Sequence, residues 1–265
     1  MPFRQQLLSL SEYAPDYPTL KTIPKETMMA SSQNQTISIE IIGYISSCFK
    51  EKFATPRQPG LAPSATARLI LVEPFNRREM VRGLETFSHI WVQFLFHQVV
   101  GDGWKTTVRP PRLGGSERKG VWATRSPHRP NHIGLSAVTL EGIDVRNGVE
   151  LVLSGVDLLD RTPVIDIKPY LPVSDRPEGV TDGWSERLFA PLDVCFTPAA
   201  RDFCSAYRRR TGDDLATLIT EVLHADPRPA SQRATRKEFG MLLWDVNVRW
   251  SVDGVRCVVT GCEQV

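Results

Sequence analysis

The sequence predicts a mainly β, α+β fold in which a small β-barrel domain is followed by a small α+β domain. Between residues 37 and 173, about six strand-like segments rich in β-branched residues accompany one short helical pattern, without regular strand–helix alternation. Two helical patterns and further strands follow after residue 190. No G-x-G-x-x-G motif follows a strand, so a Rossmann nucleotide fold is not indicated.

The composition is that of an ordinary globular protein. Of the 265 residues, 41% are hydrophobic and 23% are charged, which allows a sizeable buried core. The net charge is only +2, so affinity for nucleic acid would have to come from local patches. The five cysteines have no metal-ligand or disulfide-framework spacing, which predicts no metal site and a reducing, cytoplasmic location. No apolar run reaches the roughly 18 residues of a membrane span, so we expect no membrane association.

Four regions are expected along the chain. Pro15, Pro18 and Pro24 interrupt weak apolar groups, so the N-terminal region is expected to be mostly disordered. A segment rich in Pro, Gly, Asp and Ser is typical of a linker. The regions are an N-terminal extension (1–36), a barrel domain (37–173), a linker (174–190) and a C-terminal domain (191–265).

The elements of the barrel domain can be taken in order. ISIEIIGYI, from Ile37, alternates as a strand does, and an elbow at 56–60 precedes the strand ARLILVEPF. RREMVRGLETF has the pattern of a short amphipathic helix, and SHIWVQFLFHQ that of a strand buried on both faces. Two strands joined by the turn RNG and the strand VIDIKPY complete the domain.

The C-terminal domain is expected to begin with the strand LDVCF and a helix over 198–210. DDLATLITEVLHAD, with apolar residues at helical spacing, predicts a second helix. MLLWDVNVRWSV and GVRCVVTG are predicted as strands joined by an Asp-Gly turn.

The segment 109–136 concentrates positive charge and turn residues. Proline fixes φ and glycine permits positive φ, so this backbone is shaped for turns. Guanidinium groups and backbone N–H groups on tight turns suit an anion, although a merely solvated basic loop has the same composition. The strand-like GVWAT and the apolar IGLSAVTLEGI flank the turn RSPHRPNH, so we expect that turn to be held in place. The cations of the segment are Arg109, Arg112, Arg118, Lys119, Arg125 and Arg129.

Two smaller groups are also candidates. In the strand VIDIKPY, Asp166 and Lys168 share a face because side chains alternate, and they are either site residues or a surface ion pair. A basic group with an aromatic neighbour is typical of single-stranded RNA contacts, although scattered arginines are common. That group consists of Arg228, Arg233, Arg236, Lys237 and Arg249, the last beside Trp250.

Six motifs occur in one order along the chain: FATPRQPG (53–60), RGLETFSHIWVQFLFHQ (82–98), VRPPRLGG (108–115), ATRSPHRPNHIG (123–134), TPVIDIKPYLP (162–172) and DPRPA (226–230). Together they resemble the bacterial tRNA N6-threonylcarbamoyladenosine methyltransferase family. The chain departs from the family pattern at His132, usually proline, which leaves the path of that turn open. It also departs at Ser231, where an aromatic residue often follows DPRPA.

The resemblance implies an enzyme that uses S-adenosylmethionine on a small β-barrel. It implies methyl transfer to N6 of N6-threonylcarbamoyladenosine at position 37 of tRNA, notably threonine tRNA. The product would be N6-methyl-N6-threonylcarbamoyladenosine. The implied partners are the tRNA anticodon loop and a second copy of the chain in a homodimer.

Residues matching the family motifs supply the candidate site. In-line displacement requires alignment of the acceptor, and a base would remove the proton of the delocalised N6 nitrogen. Asp166, tuned by Lys168, ranks before Tyr170 and His97 for this role, with a fold-stabilising Asp166–Lys168 pair as the alternative. The cofactor candidates are Pro56, Arg57, Gln58, His97, Gln98, Arg125, Asn131, Leu135, Asp157, Leu158 and Asp160. The tRNA candidates are Arg109, Arg112, Arg118, Lys119, Arg129, Arg228, Lys237 and Arg249.

Two other functions remain open from the sequence. The first is a methyltransferase of this type acting on a small metabolite or another RNA, against which the basic C-terminal domain argues. The second is a catalytically silent RNA-binding protein, against which the intact segments RQP, HQ, TRS and DIKPY argue.

Overall fold

A computed structural model describes residues 36–113, 115, 117–181, 183–186, 191–229, 232–233 and 237–265. The predicted N-terminal extension lies outside these residues except for its last residue, and Ser231 and Arg236 lie outside them as well. The strand expected from Ile37 begins only at Gly43. No helix within the described part of the chain is long and apolar enough to cross a membrane.

Antiparallel strands build the first part of the chain, and six of them close into a barrel. In chain order the strands are β1 (Gly43–Ser47), β2 (Thr66–Leu71), β3 (His89–Leu95), β4 (Thr107–Val108), β5 (Lys119–Gly120), β6 (Ile133–Asp144), β7 (Glu150–Ser154) and β8 (Pro163–Pro169). The barrel order is β1-β2-β7-β6-β3-β8, and β8 pairs back to β1. β4 and β5 form a separate two-stranded ribbon. The predicted small barrel is therefore confirmed.

Alternating side chains fill the barrel. On β3, Ile90, Val92 and Phe94 are buried, while the residues between them are partly exposed. The prediction that this strand is buried on both faces is wrong, because the barrel encloses only one face of each strand. Gly134 on β6 lies so close to Phe94 that a Cβ atom would be 2.3 Å from the ring, so any larger residue there would force the buried ring to move.

Two local predictions in this part of the chain are wrong. RREMVRGLETF forms two 3₁₀ turns, Arg78–Val81 and Leu84–Thr86, rather than one helix. Gly83 separates them at φ +87°, a conformation that cannot continue an α-helix. GVWAT is not a strand either, since Val121–Ala123 is a further 3₁₀ turn.

The C-terminal part is a four-stranded sheet covered by helices. A short helix, α1 (Pro172–Asp175), follows β8 and belongs to the barrel part of the chain. The helices that cover the sheet are α2 (Pro198–Thr211) and α3 (Leu215–His224), and the strands are β9 (Asp193–Phe196), β10 (Glu238–Leu243), β11 (Val246–Asp253) and β12 (Arg256–Gln264). The sheet order is β10-β11-β12-β9, with β9 parallel to β12. Thr197 caps α2 and Asp214 caps α3 by accepting hydrogen bonds from backbone N–H groups.

The predicted long strand MLLWDVNVRWSV is in fact a hairpin. Trp244 takes φ +51° between β10 and β11, although neither Gly nor Asn marks this turn in the sequence. The predicted Asp-Gly turn between β11 and β12 is present at Gly254.

The barrel and the C-terminal sheet share one apolar core. The ring of Phe53, from the loop after β1, stacks against Phe239 and Trp250 of the sheet at centroid distances of 6.4 and 6.5 Å. Trp244 N donates a hydrogen bond to Cys48 O at 2.7 Å. Because Trp250 is almost fully buried, it belongs to this core and is not an aromatic contact for RNA.

Candidate active site

A row of three side chains crosses neighbouring strands of the barrel. Gln93 on β3 is the register partner of Leu135 on β6 and of Asp166 on β8. Its amide donates a hydrogen bond to Asp166 Oδ2 at 3.3 Å. The row lies on the outer face because the alternate residues Val92 and Phe94 point into the core. A cofactor candidate and the first-ranked base candidate therefore share one surface.

Arg125 joins two further cofactor candidates. Its guanidinium donates a hydrogen bond to Gln58 Oε1, and its charge acts on Asp157. Asp157 Oδ1 is buried and has no hydrogen-bond partner among the described residues. Burial raises the pKa of Asp157 to about 6, against the lowering effects of a hydrogen bond from Ser136 and of the Arg125 charge. Ser136 directly follows Leu135 on β6, but it is buried and points to the opposite face of the strand. The cluster therefore adjoins the row along the chain and not on the same surface.

His97, Gln98 and Asn131 lie on two 3₁₀ turns that pack together. The backbone of Phe96 donates a hydrogen bond to His132 O at 2.8 Å, which fixes one turn against the other. Burial lowers the pKa of His97, so its imidazole is neutral at pH 7. Gln98 and Asn131 are exposed and face solvent.

The turn RSPHRPNH is held in place, as predicted. Lys105 N donates to His128 O at 3.0 Å, and His132 N donates to Arg129 O at 3.1 Å. The ring of His132 closes the turn, since its Nδ1 lies 2.9 Å from Pro127 O. His132 takes φ +50°, which proline cannot adopt. Because this chain has histidine where the family usually has proline, its turn adopts a backbone conformation that proline would not allow.

Lys168 lies beside Asp166, as predicted. Its Nζ atom is 3.7 Å from Asp166 Oδ2, and both side chains are half or more exposed. Exposed ion pairs contribute little to stability. The contact expected for a surface ion pair is therefore present, but it contributes little to the stability of the fold.

Tyr170 has a structural environment. Its ring packs on Trp91 and His89 at centroid distances of 5.5 and 6.3 Å. Its hydroxyl donates to the backbone oxygen of Asp175 at 3.5 Å, and Trp91 Nε1 donates to the Asp175 carboxylate at 2.8 Å. These contacts fasten α1 to the barrel, which ranks Tyr170 below Asp166 as a base.

Three cofactor candidates have other partners. The side chain of Leu158 is buried in the core, so only its backbone is available to a ligand. Asp160 Oδ1 lies 3.0 Å from Lys50 Nζ. Arg57 donates a hydrogen bond to Arg228 O at 3.3 Å, so its guanidinium points to the C-terminal domain.

The predicted tRNA contacts of the first domain surround the β4–β5 ribbon. Arg109 and Arg118 are exposed. Lys119 forms an ion pair with Glu117. Arg112 belongs to a 3₁₀ turn, and its side chain lies outside the description.

One of the C-terminal tRNA candidates is corrected by the structure. Arg228 is buried, and its Nε atom lies 2.7 Å from Asp226 Oδ1, so its guanidinium is not available to a phosphate. Lys237 and Arg249 are exposed, each beside an acidic residue.

Sequence reasoning missed two residues. Gln93 occupies the centre of the outer row, and strict alternation along SHIWVQFL would have placed it there. Trp122 is exposed under the guanidinium of Arg129, within the basic segment 109–136, although the pattern GVWAT predicts only a strand position for it.

The chemistry of this cluster fits a zwitterionic sulfonium cofactor. Arg125 and the amide of Gln58 can donate to a carboxylate, and Leu135 offers an apolar wall. The unpartnered Asp157 Oδ1 can accept a hydroxyl hydrogen bond or face a positive sulfur. Residues of three separate chain segments therefore supply complementary groups.

The closed barrel defines a β-barrel protein that is not of the Rossmann class, and the cluster is its candidate cofactor site. A family profile described as the tRNA-methyltransferase O N-terminal domain matches residues 44–176, and the TrmO C-terminal domain profile matches residues 189–265. The chain belongs to the tRNA-methyltransferase O family, which confirms the resemblance found in the motifs.

Relatives and solved structures agree with this membership. The chain is 46% identical over 221 residues to the tRNA (adenine(37)-N6)-methyltransferase of Escherichia coli K12, covering 82% of this chain and 94% of that protein. It is 47% identical over 216 residues to RcsF of Pseudomonas aeruginosa, whose name describes an S-adenosylmethionine-dependent methyltransferase; the match covers 81% of this chain and 92% of that one. A crystal structure of TrmO from P. aeruginosa superimposes with a TM-score of 0.74 at 39% identity, covering 89% of this chain and 100% of that chain.

Proposed function

We propose that this chain is an S-adenosylmethionine-dependent methyltransferase that modifies N6 of adenosine 37 in tRNA. Family membership and the names of relatives at 46–47% identity support the reaction and the cofactor. The finer substrate, N6-threonylcarbamoyladenosine in threonine tRNA, is proposed from the six sequence motifs.

The observation that carries the proposal is the adjacency of two sets of groups. The cluster of Gln58, Arg125 and Asp157 meets Ser136, and the preceding residue, Leu135, begins the row that ends at Asp166. Groups suited to the cofactor and a carboxylate suited to proton transfer are therefore linked through consecutive residues of β6, of which Ser136 points into the barrel and Leu135 outward.

The residues take the following roles in the proposed reaction. S-adenosylmethionine, when bound, supplies an electrophilic methyl carbon. Arg125 and Gln58 would hold the carboxylate end of the cofactor, and Asp157 would face its sulfonium or ribose. Asp166, oriented by Gln93, would accept the proton that N6 loses as the nitrogen–carbon bond forms and the carbon–sulfur bond of the cofactor breaks. Alignment of N6 with the methyl carbon, about 3 Å away, is the principal catalytic device.

Further parts of the proposal concern the RNA and the state of the protein. Arg109, Arg118, Lys119 and Arg129 hold phosphates of the anticodon loop, and Lys237 and Arg249 extend the basic track. We retain the homodimer as implied by the motifs. We also retain the cytoplasmic location, which agrees with five cysteines that are all free thiols in the structure.

Nucleoside mass spectrometry tests the proposal. The purified chain is incubated with isotopically labelled cofactor and either native threonine tRNA or the same tRNA transcribed without modification. Labelled methyl on threonylcarbamoyladenosine of the native tRNA alone supports the full proposal. Labelled adenosine in the transcript would contradict the finer substrate, and no label in either RNA would contradict methylation of this tRNA.

A further inference from the structure

An exposed indole stands within the most basic part of the chain. Trp122 is 71% exposed, although tryptophan is among the residues that gain most from burial. Arg129 Cζ lies 5.7 Å from the centroid of its ring, over one face. A flat aromatic surface with a cation on one side is thus presented to solvent.

The backbone around this indole is rigidly held. Val121 is buried, and its N–H donates to Thr106 O at 3.0 Å. Trp184, from the linker, donates its indole N–H to Ala123 O at 3.1 Å. Both neighbours of Trp122 are therefore fixed, so the ring is exposed on a supported turn and little conformational entropy is lost on stacking.

The charge around the indole selects the kind of partner. Residues 97–134 contain seven Lys and Arg residues against two acids. The cations are Lys105, Arg109, Arg112, Arg118, Lys119, Arg125 and Arg129, and the acids are Asp102 and Glu117. A second copy of this chain would bring like charges together, whereas a polyanion would be attracted.

We propose that Trp122, with Arg129 on its ring, is a stacking platform for an unpaired base of the tRNA anticodon loop. This inference rests on the proposed function and names a recognition residue for its RNA substrate. Trp122 lies between the phosphate contact Arg118 and the cofactor residue Arg125 in the chain. A base stacked on the indole is therefore held beside the segment that approaches the cofactor. Base–aromatic stacking tolerates any base because each has a π face.

The test measures binding of the full chain to an anticodon stem-loop RNA of threonine tRNA at several salt concentrations. Trp122→Ala is expected to weaken binding roughly five- to 150-fold, and Trp122→Leu similarly, since leucine keeps apolar bulk but has no ring. Trp122→Phe should retain most of the affinity. The salt slope should stay that of wild type in all three, whereas Arg118→Ala should lower it by about 0.7.

Three controls separate the outcomes. Tyr44→Ala removes an exposed ring on β1 and should leave RNA affinity unchanged. Calorimetric cofactor affinity should equal that of wild type in every Trp122 variant, which shows that the site is intact. Sedimentation of each Trp122 variant shows whether the substitution has dissociated a dimer.

Each remaining result overturns the inference. Wild-type affinity of Trp122→Ala does so directly, and so does a leucine variant that binds like the phenylalanine variant. A Trp122 variant that changes the oligomeric state but not RNA affinity assigns the surface to a second copy of the chain. In these cases the wild-type chain still methylates the tRNA, so the proposed function is not contradicted. A wild-type chain that neither binds nor methylates the RNA overturns both.

Discussion

The guanidinium of Arg57 donates a hydrogen bond to the backbone oxygen of Arg228, 3.3 Å away and 171 residues further along the chain. Arg228 is itself fixed by Asp226, to which it donates from Nε at 2.7 Å and from Nη2 at 3.1 Å. Asp226 and Arg228 are both buried. The elbow that carries the cofactor candidates is therefore held from the C-terminal domain by a hydrogen bond to the backbone of a buried residue.

We expect Asp226→Ala to lower the free energy of unfolding by about 3–5 kcal/mol, because it leaves a buried guanidinium without its carboxylate. Urea denaturation measures this loss. The matched control is Asp253→Ala, which breaks an exposed pair with Lys237 and should cost no more than about 0.5 kcal/mol. Equal losses in the two variants would contradict the importance of the buried pair.

Asp157→Asn should stabilise the protein at high pH only. The pKa of Asp157 is raised to about 6 because burial favours the protonated carboxyl. The stabilisation by this protonated group is therefore complete below pH 4 and is lost as the pH rises through 6. The variant should therefore gain up to about 3 kcal/mol at pH 8 and nothing at pH 4.

Denaturation at both pH values measures this gain. Asp160→Asn is the control from the same turn, and it should lose stability at pH 8 because it removes the partner of Lys50. A gain of the same size at both pH values would show that ionisation of Asp157 is not its source.

The same group should make cofactor binding depend on pH. Between pH 7 and pH 5 the wild-type affinity for S-adenosylmethionine should fall about tenfold, because Asp157 becomes protonated and loses its attraction for the sulfonium. Calorimetry with S-adenosylhomocysteine, which lacks the positive charge, provides the control and should show a smaller change. An identical pH dependence for both ligands would place Asp157 at the ribose instead.

Asp166→Asn should lower the single-turnover methylation rate by roughly 10²- to 10⁴-fold with unchanged affinity for cofactor and tRNA, as expected for loss of a general base. Asparagine keeps the size of the side chain beside Gln93, so a collapse of the row is not expected. Lys168→Met tests the tuning role and should have a smaller effect. A wild-type rate for Asp166→Asn would show that Asp166 and Lys168 form only a surface ion pair.

His132→Pro should destabilise the turn by about 3 kcal/mol or more, because proline cannot adopt φ +50° and lacks the N–H that bonds to Arg129 O. Thermal unfolding measures the effect. The neighbouring Asn131→Gly is the control, since Asn131 has φ +64° and glycine accepts that conformation without strain. Wild-type stability of the proline variant would show that the turn has a second path.

Local patterns predicted most of the secondary structure. Alternation located the strands, and the apolar spacing of DDLATLITEVLHAD located α3. The wrong predictions of secondary structure depend on the backbone conformation of single residues, which the sequence pattern does not indicate. Gly83 breaks an apparent helix by taking a positive φ, and Trp244 makes a hairpin turn with a residue that carries no turn signal.

By itself the sequence determined the barrel, the motifs of the family and the identity of most candidate residues, because strand alternation and motif order are properties of neighbouring residues. Only the tertiary structure decided which of them meet. It placed Gln93 between Leu135 and Asp166, buried Arg228 against Asp226, and left Asp157 Oδ1 without a hydrogen-bond partner in the part of the chain that the structure describes. Strand register and burial arise from contacts between residues far apart in the chain, and no local pattern encodes them.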